Sequence, residues 1–482
     1  MLFNSIEFLL FFSAFFFLYW FVLKKNLRTQ NALLLIASYV FYGWWDWRFL
    51  FLLIFSTGLD FFVGLKIYQA EKVRTKKWWL WFSIIVNLCF LGFFKYYNFF
   101  VLSFTDAFSS VGIHLTPWLL HIVLPVGISF YTFHGLSYVI DIYRGNCKPT
   151  TSWVNYCVFV SYFPLLVAGP IERATHLLPQ IEKPRTFEYE RAMQGMRLIL
   201  WGLFKKIAIA DALAPAVNDI FQHHNQYPGG VLILGAIYFA FQIYGDFSGY
   251  SDMARGISKL LGIELLLNFN FPYLSQSIPE FWKRWHISLS SWFRDYLYFP
   301  LGGSRTTIWK AIRNVFIIFL VSGFWHGANF TFIVWGGIHA LLFIPSFIKR
   351  KSKANIPQIA SSKNSSVFLQ FIRILGTFVI VTIGWIFFRS DSVTSAIDFI
   401  KRMFYHPTDF VFLNPYNNLP MVKENILIAL FWLAELLISH KEISLKLWNY
   451  KLVSISTITV IVFLILTAIH LDSKQAFIYF QF

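Results

Sequence analysis

The chain has 482 residues, 57% of them hydrophobic and 13% charged, with a mean hydropathy of +0.56. A soluble domain is about a quarter charged, so 41 basic and 24 acidic side chains cannot give a chain of this length a polar skin. Soluble enzymes, nucleic-acid binders and disordered proteins are excluded, and the composition is that of a polytopic membrane protein. The aromatic share of 21% fits lipid-facing Phe with Trp and Tyr at the membrane boundaries. The net charge of +17 reads as Lys and Arg gathered in cytoplasmic loops and against anionic lipid.

A spanning helix needs about 20 apolar residues. The first apolar run, Phe8 to Leu23, has no basic residue before it. Lys24, Lys25 and Arg28 follow it without a small-residue cleavage site. This predicts a retained helix with the N-terminus outside. Further runs are Asn31 to Trp45, Phe49 to Leu65, Trp78 to Phe94, Trp118 to Phe133, Trp153 to Ala168, Met196 to Ala214 and Val231 to Gly245. Then come Ile312 to Phe324, Thr331 to Phe347, Phe368 to Phe388, Ile426 to Ile438 and Leu452 to Ile469. Some are short, and the pattern predicts an all-α protein with about ten to twelve crossings plus re-entrant or amphipathic helices. Basic clusters at Lys66 to Lys77, at Lys349, Arg350, Lys351 and Lys353, and at Lys441, Lys446 and Lys451 can all lie in the cytoplasm with the first cluster. The C-terminus is then outside as well. Ile356 to Ser366 is polar and Ser-rich and reads as a cytoplasmic linker. The chain reads as a single integral membrane domain: N-terminal helices over 1–115, a core over 116–347, the linker over 348–366 and C-terminal helices over 367–482.

Cys89, Cys147 and Cys157 show no CxxC spacing, which argues against a disulfide framework or a zinc site. No P-loop, GxGxxG or HExxH occurs. Polar residues, Gly and Pro interrupt the apolar runs between Tyr244 and Arg305, at a density that a lipid-facing helix would not tolerate.

Three constellations there carry candidate chemistry. The first, Tyr244 to Arg255, holds Asp246, Asp252 and Arg255 directly after an apolar run. It reads either as a cavity wall or as an ion-paired helix junction. The second runs from Ser277 to Tyr296. Ser277 with Glu280 forms a capping box, and Pro279 suits a first turn. Trp282, His286, Leu289, Phe293 and Leu297 then share one face of a predicted amphipathic helix, which either lies in the interface or dips inward. In the third, Ser322 to Asn329, His326 sits between two apolar segments and beside Gly323 and Gly327. A neutral imidazole there suits general-base work on a hydroxyl, and a structural histidine bonded to backbone is the other reading. His134, Asp141, Tyr143 and Arg144, and the segment Gly169 to Arg173, read as helix caps or a re-entrant turn.

Several segments, in order along the chain, resemble the membrane-bound O-acyltransferase family, in its alginate O-acetylation branch. They are Phe3-Asn4-Ser5, Tyr39-Val-Phe-Tyr-Gly-Trp-Trp-Asp46, Leu124-Pro-Val-Gly-Ile-Ser-Phe-Tyr131, Tyr138-Val-Ile-Asp-Ile-Tyr-Arg144 and Ala168-Gly-Pro-Ile171. Further along stand Trp285-His286, Arg294-Asp-Tyr-Leu-Tyr-Phe-Pro-Leu-Gly-Gly303 and Gly323-Phe-Trp-His326. The resemblance implies a ring of helices around a tunnel, with His326 as the catalytic histidine and His286 as the family's second characteristic polar residue. Asp246, Asp252, Arg255, Trp285, Arg294, Asp295, Trp325 and Asn329 are candidates to line the tunnel.

The resemblance further implies a protein of the cytoplasmic membrane that uses acetyl-CoA as donor substrate. It implies no bound cofactor, no metal and no nucleic acid. The acceptor is an exopolysaccharide or cell-wall glycan, reached directly or through a periplasmic esterase-like relay protein of the SGNH type. His326 would deprotonate the acceptor hydroxyl, with His286, Asn329 or a tunnel-wall donor at the oxyanion. A D-alanyl or fatty-acyl group stays open within the family. A transporter using Asp246 and Asp252 is the alternative outside it.

Overall fold

The structure is a computed structural model that describes residues 1–353, 366–412 and 421–439. The expected linker up to residue 365, the cluster Lys441, Lys446 and Lys451, the run Leu452 to Ile469 and the C-terminus lie outside the described residues. So do the side chains of Lys349, Arg350, Lys351 and Lys353. All regular structure among the described residues is helical. Among the described residues, five helical segments are long and apolar enough to cross a membrane: Phe49–Gln69, Val73–Ser109, Gly229–Leu260, Ile308–His326 and Val367–Arg389. Ile6–Val22 and Phe330–Pro345 are shorter apolar helices. The chain is therefore a multi-pass membrane protein of all-α class.

Four expected elements differ, each for a physical reason. The run Trp118 to Phe133 is irregular up to Val126, and the helix is Ile128–Arg144. Pro125 disfavours helix in the residue before it, and Gly127 starts the helix from the left-handed region at φ 75°. His134 and Asp141 are thus inside this helix, not caps after it. The run Trp153 to Ala168 is helical only over Trp153–Ser161. Pro164 lacks an N–H and clashes with the carbonyl four residues back. The chain beyond the helix is irregular and buried from Tyr162 to Leu166, so it packs in protein rather than in lipid.

The run Val231 to Gly245, by contrast, continues as one helix, Gly229–Leu260, through all the polar residues up to Lys259. Small residues permit this: a Cβ on Gly249 would lie 2.7 Å from the carbonyl oxygen of Gly202. The predicted amphipathic helix, finally, is two helices, Ile278–Arg284 and Ile287–Phe293. Trp285 between them is extended and His286 left-handed at φ 43°. The capping box forms in altered shape: Ser277 Oγ accepts from the Glu280 N–H (3.4 Å), while the Glu280 carboxylate accepts from the Gln276 N–H (2.8 Å).

The chain divides into two compact units. One comprises Met1–Ile199 and Asp252–Leu266. Its interior carries a buried polar cluster in which Asp60 Oδ1 accepts from Ser83 Oγ (2.6 Å) and Asn87 Nδ2 (2.9 Å). Such hydrogen bonds, with close approach at small residues, hold apolar helices together where lipid gives no hydrophobic drive. The other unit comprises Leu200–Ser251 and Leu267–Phe482. At its centre is a helical hairpin, Ile308–His326 and Phe330–Lys353, whose backbones meet at Gly323 and Gly336. A Cβ would stand 2.2 Å from the Phe332 oxygen at the first and 2.3 Å from the Phe319 oxygen at the second.

This crossing fixes the end of the hairpin that bears His326. Backbone oxygens cannot swing aside, so Gly336→Ala is expected to destabilise the fold by about 1–3 kcal/mol, the usual cost of overpacking. A lower apparent melting temperature in detergent checks this, while Gly376→Ala, where a Cβ meets nothing within 4 Å, is expected to be neutral.

Candidate active site

His326 is the last residue of Ile308–His326. The chain leaves that helix through an extended Gly327, where a side chain would strike the Phe332 ring at 2.0 Å. Asn329 then caps the next helix: its Oδ1 accepts from the Thr331 N–H (3.0 Å) and its Nδ2 donates to the Asp391 carbonyl (2.8 Å). His326 is 4% exposed. Trp325, Trp335 and Phe388 pack around its ring at centroid distances of 4.9, 5.3 and 5.3 Å.

The His286 ring lies 6.4 Å from that of His326. It is 1% exposed and stands edge-on to Phe247 at 4.7 Å. The backbone beside it pairs with an irregular segment, Asn270 N–H to the Arg284 carbonyl and Ile287 N–H to the Asn268 carbonyl, each at 2.9 Å. The side chain of Asn268 completes the junction. Its Oδ1 lies 3.1 Å from His286 Nδ1 and accepts from Ser288 Oγ (2.9 Å) and the Ser288 N–H (3.4 Å). Its Nδ2 donates to Ser251 Oγ (3.2 Å). Burial pushes the His286 imidazole down to about 3, so the ring is neutral at physiological pH. Two imidazoles thus face one another in an aromatic shell that excludes water, an arrangement suited to taking and returning a proton.

The remaining candidates separate. Trp325 lies within this shell. Trp285 is fully buried beneath it, stacked on Phe281 (5.5 Å) and near Trp385 (4.8 Å). Asn329 is committed to the cap just described. Asp246 belongs to a buried ion cluster in which Lys206 Nζ reaches Asp246 at 2.8 Å and Asp211 at 2.7 Å. Arg294 and Asp295 pair with each other (2.8 Å) in a partly exposed turn. Asp252 and Arg255, an i,i+3 pair at 3.4 Å, belong to the unit that lacks the two histidines. Asn268, Lys206, Trp335 and Phe388 were not singled out from sequence. Asn268 sits in Asn268-Phe-Asn-Phe-Pro272, where its only signal is an amide in an apolar stretch before a proline.

The model of the membrane-bound O-acyltransferase family matches residues 148–383, which include both histidines. The chain is 43% identical over 380 residues to the "Probable alginate O-acetylase" of Pseudomonas aeruginosa, covering 78% of this chain and 70% of that one. It is 35% identical over 436 residues to the peptidoglycan O-acetyltransferase of Helicobacter pylori, covering 84% and 80%. A teichoic acid D-alanyltransferase of Bacillus subtilis is 31% identical over 238 residues, covering 45% and 57%. The chain belongs to the membrane-bound O-acyltransferase family. It is an enzyme, an O-acyltransferase.

The ion cluster yields a test of Asp246. Removing one partner of a buried ion pair costs about 3–5 kcal/mol. Lys206→Met, which strands Asp211 and Asp246, is expected to abolish monodisperse protein in size-exclusion chromatography. Asp246→Asn, which keeps a hydrogen-bonding group near Lys206, is expected to lower yield while activity per folded molecule stays within about twofold.

Proposed function

We propose that this protein is a membrane O-acetyltransferase that moves an acetyl group from cytoplasmic acetyl-CoA to a hydroxyl of an extracytoplasmic glycan. The observation that carries this reading is the buried pair His286 and His326, 6.4 Å apart, in a chain 43% identical to an alginate O-acetylase. The acceptor is an exopolysaccharide or cell-wall glycan. It is reached directly or through a periplasmic relay protein, across the cytoplasmic membrane. An acetyl group is favoured over D-alanyl because the acetyltransferase relatives match far more of the chain.

His326 removes the proton of the acceptor hydroxyl as its oxygen attacks the thioester carbonyl. The C–O bond forms and a tetrahedral oxyanion results. Collapse breaks the C–S bond, and His326 returns the proton to the leaving thiolate. The histidine ends neutral, and one acetyl group has exchanged sulfur for oxygen. The aromatic shell keeps water from competing for the acetyl group.

General-base catalysis contributes about 10²–10⁴-fold. His326→Ala is therefore expected to lower the O-acetyl content of the exported glycan to background, at a protein level matched to the unmodified chain by immunoblot. Normal acetylation at a normal protein level would remove His326 from this role. D-alanyl esters on the glycan in place of acetyl esters would replace the acyl group but keep the site.

A further inference from the structure

The contacts of Asn268 settle which nitrogen of His286 carries the proton. An amide oxygen and an amide nitrogen look alike in shape, so a neighbour of fixed character must distinguish them. The Ser288 main-chain N–H is such a neighbour, because it only donates, and it points at Asn268 Oδ1 (3.4 Å). That atom is therefore the carbonyl oxygen, and it only accepts. His286 Nδ1, 3.1 Å from the same oxygen, must then be the protonated nitrogen. In a neutral ring this leaves Nε2 with a lone pair. Nε2 is buried, and no hydrogen-bond partner reaches it among the described residues.

We propose that Asn268 is a positioning residue. It fixes His286 as the Nδ1–H tautomer and thereby presents Nε2 as a hydrogen-bond acceptor for a substrate hydroxyl. This rests on the proposed acetyl transfer at the His286–His326 pair and assigns His286 its part in it. A neutral imidazole of this tautomer has no Nε2–H to give, so His286 does not donate to the oxyanion. It accepts from a second hydroxyl of the acceptor glycan and so orients the sugar, while the attacking hydroxyl gives its own proton to the neighbouring His326.

The left-handed backbone at His286 serves the same end. A non-glycine residue at φ 43° is uncommon and persists only where its surroundings impose it. Here the Ile287 N–H bonds the Asn268 carbonyl at 2.9 Å, so one asparagine holds the junction by main chain and side chain together. Among the described residues the rings packed on His286 include Phe247, Phe269, Trp325 and His326, of which the last carries an ionisable group. Asp246, next to Phe247 on the same helix, is held by Lys206 at 2.8 Å.

The test measures acetyl transfer from acetyl-CoA to de-O-acetylated alginate oligosaccharides by the full-length protein in detergent, across pH. His286→Ala comes first. Loss of transfer by a folded protein places His286 in the reaction, unchanged transfer overturns the proposal and leaves acetyl transfer standing, and absence of transfer by the unmodified protein overturns the reading on which it rests. Asn268→Leu frees the tautomer and is expected to lower kcat about 10- to 100-fold, as loss of a histidine's orienting partner does elsewhere, with KM for acetyl-CoA and the pH limbs unmoved. Asn268→Asp still accepts from Nδ1–H, and its charge stabilises the imidazolium.

That variant is expected to retain more activity than Asn268→Leu, with the acidic limb moved up by about one pH unit or more. The sign follows from the role: protonation at Nε2 removes the acceptor, so a raised imidazole pKa shifts the loss of activity to higher pH. A merely structural Asn268 would tolerate a buried carboxylate no better than a leucine and would move no limb. If Asn268→Asp does not accumulate, Ser288→Ala decides, because it removes one bond to Oδ1 and leaves the main-chain bond. A kcat between those of the unmodified chain and Asn268→Leu supports the assignment. Unchanged kcat in both Ser288→Ala and Asn268→Leu, with His286→Ala inactive, overturns it and leaves the acetyl-transfer reading standing.

Discussion

The site depends on one helix being stopped at the right residue. From Ile278 onward the chain has helical periodicity, and nothing local forbids it to continue through His286. Main-chain hydrogen bonds from the irregular segment 268–270 take the Arg284 carbonyl and the Ile287 N–H, each at 2.9 Å. Those groups would otherwise serve the helix ladder. With the ladder cut there, Trp285 turns extended and His286 turns left-handed. The imidazole is then aimed at the end of the neighbouring hairpin, where Gly323 and Gly336 let two backbones touch and so set the position of His326. The two rings meet because one element is interrupted and another is packed as tightly as glycine allows.

Around the site the buried charges are paired, and the His286 ring is neutral. A charged group in a dry interior must be compensated or it is expelled. Lys206 accordingly lies between Asp211 and Asp246, and Arg284 is tied to Glu280 at 2.7 Å. The His286 imidazole escapes this requirement, because burial keeps it neutral and a neutral ring is far cheaper to bury than an ion. Trp325, Trp335 and Phe388 complete the enclosure without adding charge. In the proposed mechanism, an acyl thioester handled in such an enclosure meets a hydroxyl before it meets water.

Much of this was legible in the chain. Charge scarcity gave the membrane, apolar runs gave most of the helices, and Gly323-Phe-Trp-His326 between two such runs marked the first histidine. The failures share one cause, that hydropathy describes a residue's own surroundings and not its partners. The Val231 to Gly245 run stops in hydropathy but not in backbone, because small polar residues packed against protein leave a helix intact. The Trp118 and Trp153 runs look like spans and are broken by Pro125 and Pro164. Asp246 reads as a cavity wall or as part of an ion-paired junction, but its partner Lys206 lies on a separate segment that hydropathy does not connect to it. Asn268 has no periodic trace at all, since its partner lies eighteen positions away across a reversal of the chain.

In the proposed mechanism this chain performs acyl chemistry at the two histidines rather than passing an intact solute across the bilayer. Proteoliposomes of the purified protein, given acetyl-CoA labelled differently in the acetyl and coenzyme parts on one side and alginate oligosaccharides on the other, address it most directly. The account predicts that the two labels part company, with acetyl appearing on the oligosaccharide and coenzyme A remaining behind. It also predicts that this separation vanishes when His326 is alanine. Labels that stay together, whether left behind or carried across intact, or a separation that persists without His326, would contradict it.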